Sequence, residues 1–229
     1  MDLGPAATAG AFLNVERSHS GKRWRPRLTD ERGALAISQQ LELPDALGRI
    51  LAARGVDVSA AEAFMDPKLR DLLPDPSHLL DMDRAVERIV AAINAGEKIG
   101  VFADYDVDGA CSGSLLAKFF AAIGRDVTVY VPDRIAEGYG PNAPALMKLK
   151  EAGVSLVITV DCGTTAFAPL AAAADAGLDV VVVDHHVGEP ELPQAIAVVN
   201  PNRLDETSPV GQLCAAGVTF LVIIAVNRA

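Results

Sequence analysis

Acidic residues follow three separate apolar segments of the chain, and two histidines accompany the last of them. In chain order these residues are Asp104, Asp106 and Asp108 after IGVFA, Asp161 after LVITV, and Asp184, His185 and His186 after VVVV. Crowded carboxylates with no Lys or Arg between them repel one another unless a cation neutralises them. Carboxylates together with imidazole favour Mn²⁺, Mg²⁺, Fe²⁺ or Zn²⁺ over Ca²⁺. The residue types therefore predict a site for divalent metal ions.

The number of these residues indicates a pair of ions. Five acids with histidine are more than one ion needs. Two metal ions held side by side suit in-line displacement at phosphorus, because one ion activates water and both hold oxygens. The sequence therefore points to hydrolysis of a phosphoester.

Other interpretations of the same residues are weaker. The DxDxDG pattern opens an EF-hand, but that loop needs a Glu at its twelfth position, where this chain has Leu115, and it follows a helix rather than a strand. A single Asp at a strand end is often a helix N-cap. Cys162 with His185 could form a nucleophile pair, but many neighbouring acids would raise the pKa of that thiol. No Gly-rich phosphate loop opens the first helix of this region.

Apolar strands alternate with helical patterns from residue 81 onward. Five short runs rich in Val, Ile and Leu are separated by amphipathic segments, several of which end in a Gly such as Gly96, Gly124 or Gly153. This alternation is typical of a parallel sheet that is buried on both faces. We therefore predict an α/β fold with a doubly wound, mostly parallel sheet. Ligands of such sheets bind at the carboxyl ends of the strands, where the acids lie.

Element boundaries follow from the same patterns. We expect the helix after the first strand to start near Ser112 and the closing helix to cover residues 210–229. Residues 1–80 are predicted to form an N-terminal arm and a short helical extension. Within the extension, Ser59 is a candidate N-cap, with Glu62 as its capping-box partner.

A basic cluster interrupts the N-terminal arm at residues 22–27, KRWRPR. A Trp between arginines could stack on a nucleobase. The alternative is a solvated charged arm whose Trp packs on the domain.

Composition limits the class of protein. The chain has 20 Lys and Arg against 30 Asp and Glu, a net charge of −10, which argues against coating nucleic acid through bulk charge but not against a local basic groove. Three distant cysteines without a CxxC pair argue against a disulfide framework. The longest apolar run, residues 213–226, is shorter than the ~20 residues of a membrane span. With no basic-then-apolar leader at the N-terminus, we expect a cytoplasmic protein without membrane contact.

The motifs resemble those of the DHH phosphoesterase family. The matching segments are FADYDVDGACSGSLL, PDRIAEGYGPN, VITVDCGTT, VVVVDHHVGEPELPQAIAVVNPN and LCAAGVTFLV. The resemblance covers roughly residues 80–229, fades toward Trp24, and is strongest to the family's single-strand-specific 5′→3′ DNA exonucleases. It implies that residues 81–229 form a DHH domain and that the cofactors are two divalent ions, Mn²⁺ or Mg²⁺.

The resemblance also implies roles for individual residues. The implied metal ligands are Asp104, Asp106, Asp108, Asp161, His185 and His186. Among these, Asp106, Asp161, His185 and His186 are the implied catalytic residues, with Asp161 bridging the ions. Asp184 is expected to orient a histidine from behind. Substrate contacts are expected at Arg134, which suits a phosphate, and at Gly138, Gly140 and Asn142, which shape its loop.

Family members carry a further metal-binding Asp and DNA-binding domains beyond the point where this chain stops. We therefore expect the DHH domain to be truncated at its C-terminal end, and the chain to be a weak or inactive fragment. The resemblance implies single-stranded DNA as partner, bound mainly through the missing domains, with a single-strand-binding protein and a helicase as further partners in recombination and repair.

Two rival functions remain open. One is a DHH phosphoesterase for short oligonucleotides, cyclic dinucleotides or pyrophosphate, which should lack the N-terminal 80 residues. The other is a non-catalytic DHH module that only binds a partner, which the intact motifs disfavour.

Overall fold

The structure, a computed structural model, describes residues 11–229. The chain divides into two compact units, the first ending at Leu73 and the second spanning Pro74–Ala229. The domain boundary predicted at residue 80 stays a prediction. In the described residues, no helix is long and apolar enough to cross a membrane.

The first unit is a small helical assembly that follows the N-terminal arm. Its helices are α1 (Glu31–Gln40), α2 (Asp45–Ala53), α3 (Val58–Met65) and α4 (Leu69–Leu72). Ile37, Leu51 and Ala61 form its buried centre. The predicted extension is therefore helical, although its capping residue differs from the expectation.

The cap of α3 corrects the expectation for Ser59. The Asp57 carboxylate accepts the backbone N–H of Ala60, and the Ser59 hydroxyl donates to the same carboxylate. The helix therefore starts at Val58 and Ser59 lies within its first turn. Asp and Ser are both good N-caps, so the sequence pattern alone does not distinguish a helix start after Asp57 from one after Ser59.

The second unit is an α/β layer structure. Its elements are α5 (Met82–Ala95), β1 (Ile99–Ala103), α6 (Val107–Ala122), β2 (Val127–Tyr130), α7 (Ala143–Glu151), β3 (Leu156–Val160), α8 (Phe167–Asp175), β4 (Asp179–Val183), β5 (Ala197–Val199) and α9 (Ala215–Arg228). All four strand pairings are parallel, and the order is β2-β1-β3-β4-β5. The predicted parallel α/β sheet is confirmed.

Helices cover both faces of this sheet. Helices α7 and α8 pack on the face that carries Phe102, Val180 and Val182. Helix α6 packs on the opposite face, where Gly113 approaches Ala103, and it contacts α9, which in turn contacts α5. The strand order reverses between β1 and β3, so the crevice for ligands is expected at the carboxyl ends of these two strands.

Two helix starts differ from the expectations. Helix α6 begins at Val107, with Asp106 as its N-cap, rather than near Ser112. The early start is possible because Gly109 lies against the backbone of Asp104, where a Cβ atom would collide with the carbonyl oxygen. Helix α9 begins at Ala215, five residues after the expected start at 210.

Candidate metal centre

Three acids stand in a row at the carboxyl edge of the sheet, each one residue beyond a strand. The backbone N–H of Asp104 donates to Val160, that of Asp161 to Val183, and that of Asp184 to Val199, at 3.2, 3.0 and 3.1 Å. Each acid therefore continues the hydrogen-bond pattern of the parallel strands. The sheet itself fixes the backbone positions of these residues.

Five of the six predicted ligands form two overlapping groups. The groups are Asp104, Asp106 and Asp161, and Asp161, His185 and His186, and the potential ligand atoms of each group lie within 4.8 Å of one another. Asp161 belongs to both groups. These five residues therefore converge at one edge of the sheet, as expected, and Asp161 lies at the centre of the cluster.

Asp161 has a strained and buried position. Its φ is +61°, in the left-handed region that non-glycine residues rarely adopt, and its exposed fraction is 2%. Burial, a hydrogen bond with the Asp106 carboxyl and the negative charge of Asp108 raise the pKa of Asp161 to about 8. Its buried Oδ1 accepts no hydrogen bond, although His185 Nε2 lies 3.3 Å away.

The other two carboxylates of the first group differ in environment. Asp104 is buried, its Oδ1 has no hydrogen-bond partner, and burial raises its pKa. Asp106 is exposed and accepts the backbone N–H groups of Asp108 and Gly109 at the start of α6. The hydrogen bond from Gly109 is the main reason that the pKa of Asp106 is lowered.

These observations fit a divalent cation. Two buried carboxylate oxygens, on Asp104 and Asp161, lack any partner, and an unsatisfied buried acceptor is costly. Oxygen donors with two imidazoles match the preferences of Mn²⁺ and Mg²⁺ better than those of soft thiolate-bound metals. The arrangement can therefore hold two cations that share Asp161.

Asp184 belongs to neither ligand group but contacts the two histidines of the second group. Its Oδ1 accepts His186 Nδ1–H at 2.7 Å and the backbone N–H of His185, also at 2.7 Å. Burial opposes its ionisation, but the hydrogen bonds from His186 and Thr164 hold the pKa of Asp184 at about 2. The same carboxylate raises the pKa of His186. A carboxylate that takes Nδ1–H leaves Nε2 of His186 as the ligand nitrogen.

Two residues that the sequence analysis did not single out complete this network. Asn200 donates to the Thr164 hydroxyl and to the backbone carbonyl of His186, both at 2.8 Å, while Thr164 N–H donates to Asp184. Asn200 directly follows β5. The rule that located the acids, a polar residue just beyond an apolar strand, could have found it.

Asp108 is the predicted ligand that belongs to neither group. Its carboxylate accepts the backbone N–H groups of Ala215 and Ala216, at 2.7 and 2.8 Å, and so caps the start of α9. The three acids that follow β1 do not share an extended segment, because Asp106 caps α6 and Asp108 lies in its first turn. Asp108 Oδ2 remains 3.6 Å from His185 Nε2, and its role as a ligand stays a prediction.

Tyr139, in the loop of residues 132–142, contacts the candidate centre. The Tyr139 hydroxyl donates to the backbone carbonyl of Asp161 at 3.0 Å, and its ring meets His186 edge-on. Gly138 and Gly140 have φ values of +81° and +78°, which favour glycine. Asn142 caps α7 by accepting the N–H of Ala145. The three residues expected to shape the loop occupy turning and capping positions.

Arg134 is an exposed residue of this loop. Its guanidinium lies over the ring of Tyr105, 5.3 Å from the ring centre, and Tyr105 meets Tyr139 edge-on. An unbroken series of aromatic contacts therefore links Arg134 to His186. No hydrogen bond engages this exposed guanidinium in the part of the chain that the structure describes, so its donors can serve a phosphate, and that role stays a prediction.

Fold and candidate centre together define an α/β protein whose carboxylate and histidine cluster lies at the switch point of a parallel sheet. The N-terminal domain of the DHH family matches residues 98–228, and the chain belongs to that family. The family expected from the motifs is confirmed.

Relatives with curated descriptions narrow the comparison. The single-stranded-DNA-specific exonuclease RecJ of Bacillus subtilis is 38% identical over 202 residues, which are 88% of this chain and 26% of the relative. RecJ of Escherichia coli is 34% identical over 187 residues, 81% of this chain and 32% of the relative. The chain thus spans about a quarter to a third of the length of these relatives.

Solved structures agree with the fold. A crystal structure of exonuclease RecJ bound to manganese is 32% identical, with a TM-score of 0.60, over 66% of this chain and 38% of that one. RecJ of Thermus thermophilus in complex with Mn²⁺ is 27% identical, with a TM-score of 0.67, over 88% of this chain and 28% of that one.

Proposed function

We propose that this chain contains the metal-binding core of an exonuclease that hydrolyses phosphodiester bonds of single-stranded DNA in the 5′→3′ direction. The observation that carries the proposal is the sharing of Asp161 between two groups of three ligands. RecJ relatives, named single-stranded-DNA-specific exonucleases and similar over more than four fifths of this chain, support the exonuclease activity on single-stranded DNA.

The proposed ligands divide between two cations. Asp104, Asp106 and Asp161 would hold one, and Asp161, His185 and His186 the other. The chemistry that Mn²⁺ or Mg²⁺ supplies in such a pair is activation of water and neutralisation of charge on a phosphate. The RecJ structures with Mn²⁺ support this choice of metal.

The remaining residues position these ligands and the substrate. Asp184 keeps a proton on Nδ1 of His186, and Thr164 and Asn200 hold Asp184 and the backbone of His186 in place. Tyr139 fixes the strained backbone of Asp161. Arg134 would bind a substrate phosphate from the loop that Gly138, Gly140 and Asn142 shape.

The proposal extends to the cellular setting. An exonuclease of this type would act in recombination and DNA repair in the cytoplasm, on single strands supplied by a helicase and covered by single-strand-binding protein. The relatives' names support only the preference for single-stranded DNA.

Replacing the shared carboxylate tests the proposal. In Asp161→Asn we expect Mn²⁺ binding to weaken at both sites and nuclease activity to fall by several orders of magnitude, because both cations lose a ligand. Calorimetric titration with Mn²⁺ measures the first effect without any cleavage, and release from a 5′-labelled single strand measures the second. Asp126→Asn, an exposed acid outside the cluster, is the matched control. Unchanged Mn²⁺ binding by Asp161→Asn would reject the assignment.

A further inference from the structure

Positive charge is concentrated in one short stretch of this acidic protein. Residues 12–27, here called the basic loop, hold five of the chain's 20 Lys and Arg residues and a single acid, whereas the whole chain has a net charge of −10. The metal centre uses none of these residues. The stretch therefore needs an explanation of its own.

The basic loop is folded back on itself by backbone hydrogen bonds. Phe12 N–H donates to the carbonyl of Trp24, and Trp24 N–H donates to the carbonyl of Val15, both at 3.0 Å. A turn closes the loop, where Ser18 N–H donates to Lys22 at 2.8 Å. These bonds fix the backbone of Trp24 before any ligand arrives, which lowers the entropy cost of binding.

The side chains of the basic loop face solvent. Trp24 is 46% exposed, an unusual position for the chain's single Trp. Arg25 and Arg27 are exposed on either side of Pro26, and they make no ion pair with any residue in the described range 11–229. An exposed aromatic ring thus lies beside two arginines whose charges no residue of the range 11–229 neutralises.

We propose that the basic loop is a contact surface for single-stranded nucleic acid. Two residues of chain span at most about 7 Å, so the exposed Arg25 and Arg27 can contact neighbouring phosphates of one strand. Trp24 can stack on a base, an interaction that tolerates any sequence. The inference rests on the function proposed above, since it adds a second contact to the same substrate class.

Single-stranded nucleic acid fits this surface better than an acidic peptide does. Both partners could bind the arginines, because a guanidinium forms paired hydrogen bonds with a carboxylate as well as with a phosphate. An acidic peptide has no group that requires the exposed indole of Trp24. Every unpaired base has a flat face for it, whereas the bases of a duplex are already stacked.

Fluorescence tests the proposal directly, because Trp24 is the only Trp in the chain. The intact chain is titrated in EDTA with an oligothymidylate of about 12 nucleotides, a length within the range of single-strand-binding surfaces. We expect the Trp24 emission to be quenched on binding. EDTA removes any dependence on cleavage, so a failure of the proposed nuclease activity leaves this result unaffected.

Two double variants distinguish binding at the basic loop from a general effect of net charge on affinity. Arg25→Gln/Arg27→Gln should lower the affinity at 0.1 M salt about 25-fold and reduce the slope of log K against log salt by about 1.4, since two phosphate contacts are lost. Arg54→Gln/Arg70→Gln removes the same charge from exposed positions of the first unit and should change the affinity little. Circular dichroism checks that both variants are folded.

Three outcomes would overturn the proposal. The first is binding without any quenching of Trp24. The second is an equal loss of affinity in the two double variants, which would mean that only net charge matters. The third is displacement of the oligonucleotide by a polyglutamate peptide of equal charge at equal concentration, which would identify an acidic-peptide surface instead.

Discussion

At the scale of the residue, the candidate centre depends on carboxylates with opposite environments. Burial raises the pKa of Asp161 to about 8, while hydrogen bonds hold the pKa of the equally buried Asp184 at about 2. The difference arises from partners, because Asp161 faces other acids and Asp184 faces N–H donors. One carboxyl is therefore suited to a cation, and the other to holding a histidine.

The Asp184 substitution follows from this contrast. In Asp184→Asn we expect Mn²⁺ affinity to fall about 10–100-fold, since an amide no longer fixes the proton on Nδ1 of His186. Calorimetric titration with Mn²⁺ measures the effect, and circular dichroism verifies the fold. Asp175→Asn, on the surface of α8, is the control. Wild-type affinity in Asp184→Asn would show that His186 does not depend on this partner.

At the scale of the elements, an ion-pair network ties together the amino ends of the strands. Arg88 of α5 bonds to Glu97 and to Asp179 at the start of β4, each at 2.6 Å, and Ser155 before β3 also donates to Glu97. This network lies at the edge of the sheet opposite the acids. It couples α5 to three strands and so helps to keep their carboxyl ends aligned.

The network predicts a pH dependence of stability. The hydrogen bonds from Arg88 and Ser155 lower the pKa of Glu97 below its usual 4.5. The folded state therefore favours the ionised form, and this stabilisation is present above about pH 4.5 and is lost as the pH falls through the lowered pKa. At pH 7, Glu97→Gln should reduce the free energy of unfolding by about 1–3 kcal/mol.

Urea denaturation from pH 7 down to pH 3 measures this dependence. The difference between wild type and Glu97→Gln should shrink below pH 4.5, whereas the exposed Glu87→Gln should differ little from wild type throughout. A difference that stays constant with pH would contradict the role given to the Glu97 charge.

At the scale of the whole molecule, cation binding and folding are linked. The two ligand groups draw on residues from three segments that are far apart in sequence, and these segments converge only in the folded chain. A ligand that binds the folded state alone stabilises it by mass action. Binding of a cation at the candidate centre should therefore raise the melting temperature of the protein.

A thermal-shift experiment measures this linkage. Mn²⁺ at about 100 times its Kd should add about 2.7 kcal/mol per site, which corresponds to a rise in Tm of about 5–10 °C for a chain of this size. Asp161→Asn should lose most of the rise, and Ca²⁺ should give a smaller one. A Tm that is the same with Mn²⁺ and with EDTA would contradict the presence of a metal centre.

Local sequence patterns determined the class of fold and the edge that carries the candidate centre. Apolar runs of five residues identify buried strands, and the parallel arrangement brings the residues that follow them to one edge, so Asp104, Asp161 and Asp184 could be placed together without coordinates. Only the tertiary structure decided what Asp108 contacts, because its partners Ala215 and Ala216 lie more than 100 residues away. The same holds for the Tyr139 bond to the strained backbone of Asp161 and for the place of Asn200 behind His186. Such contacts join segments that have no local pattern in common, and chain packing alone determines them.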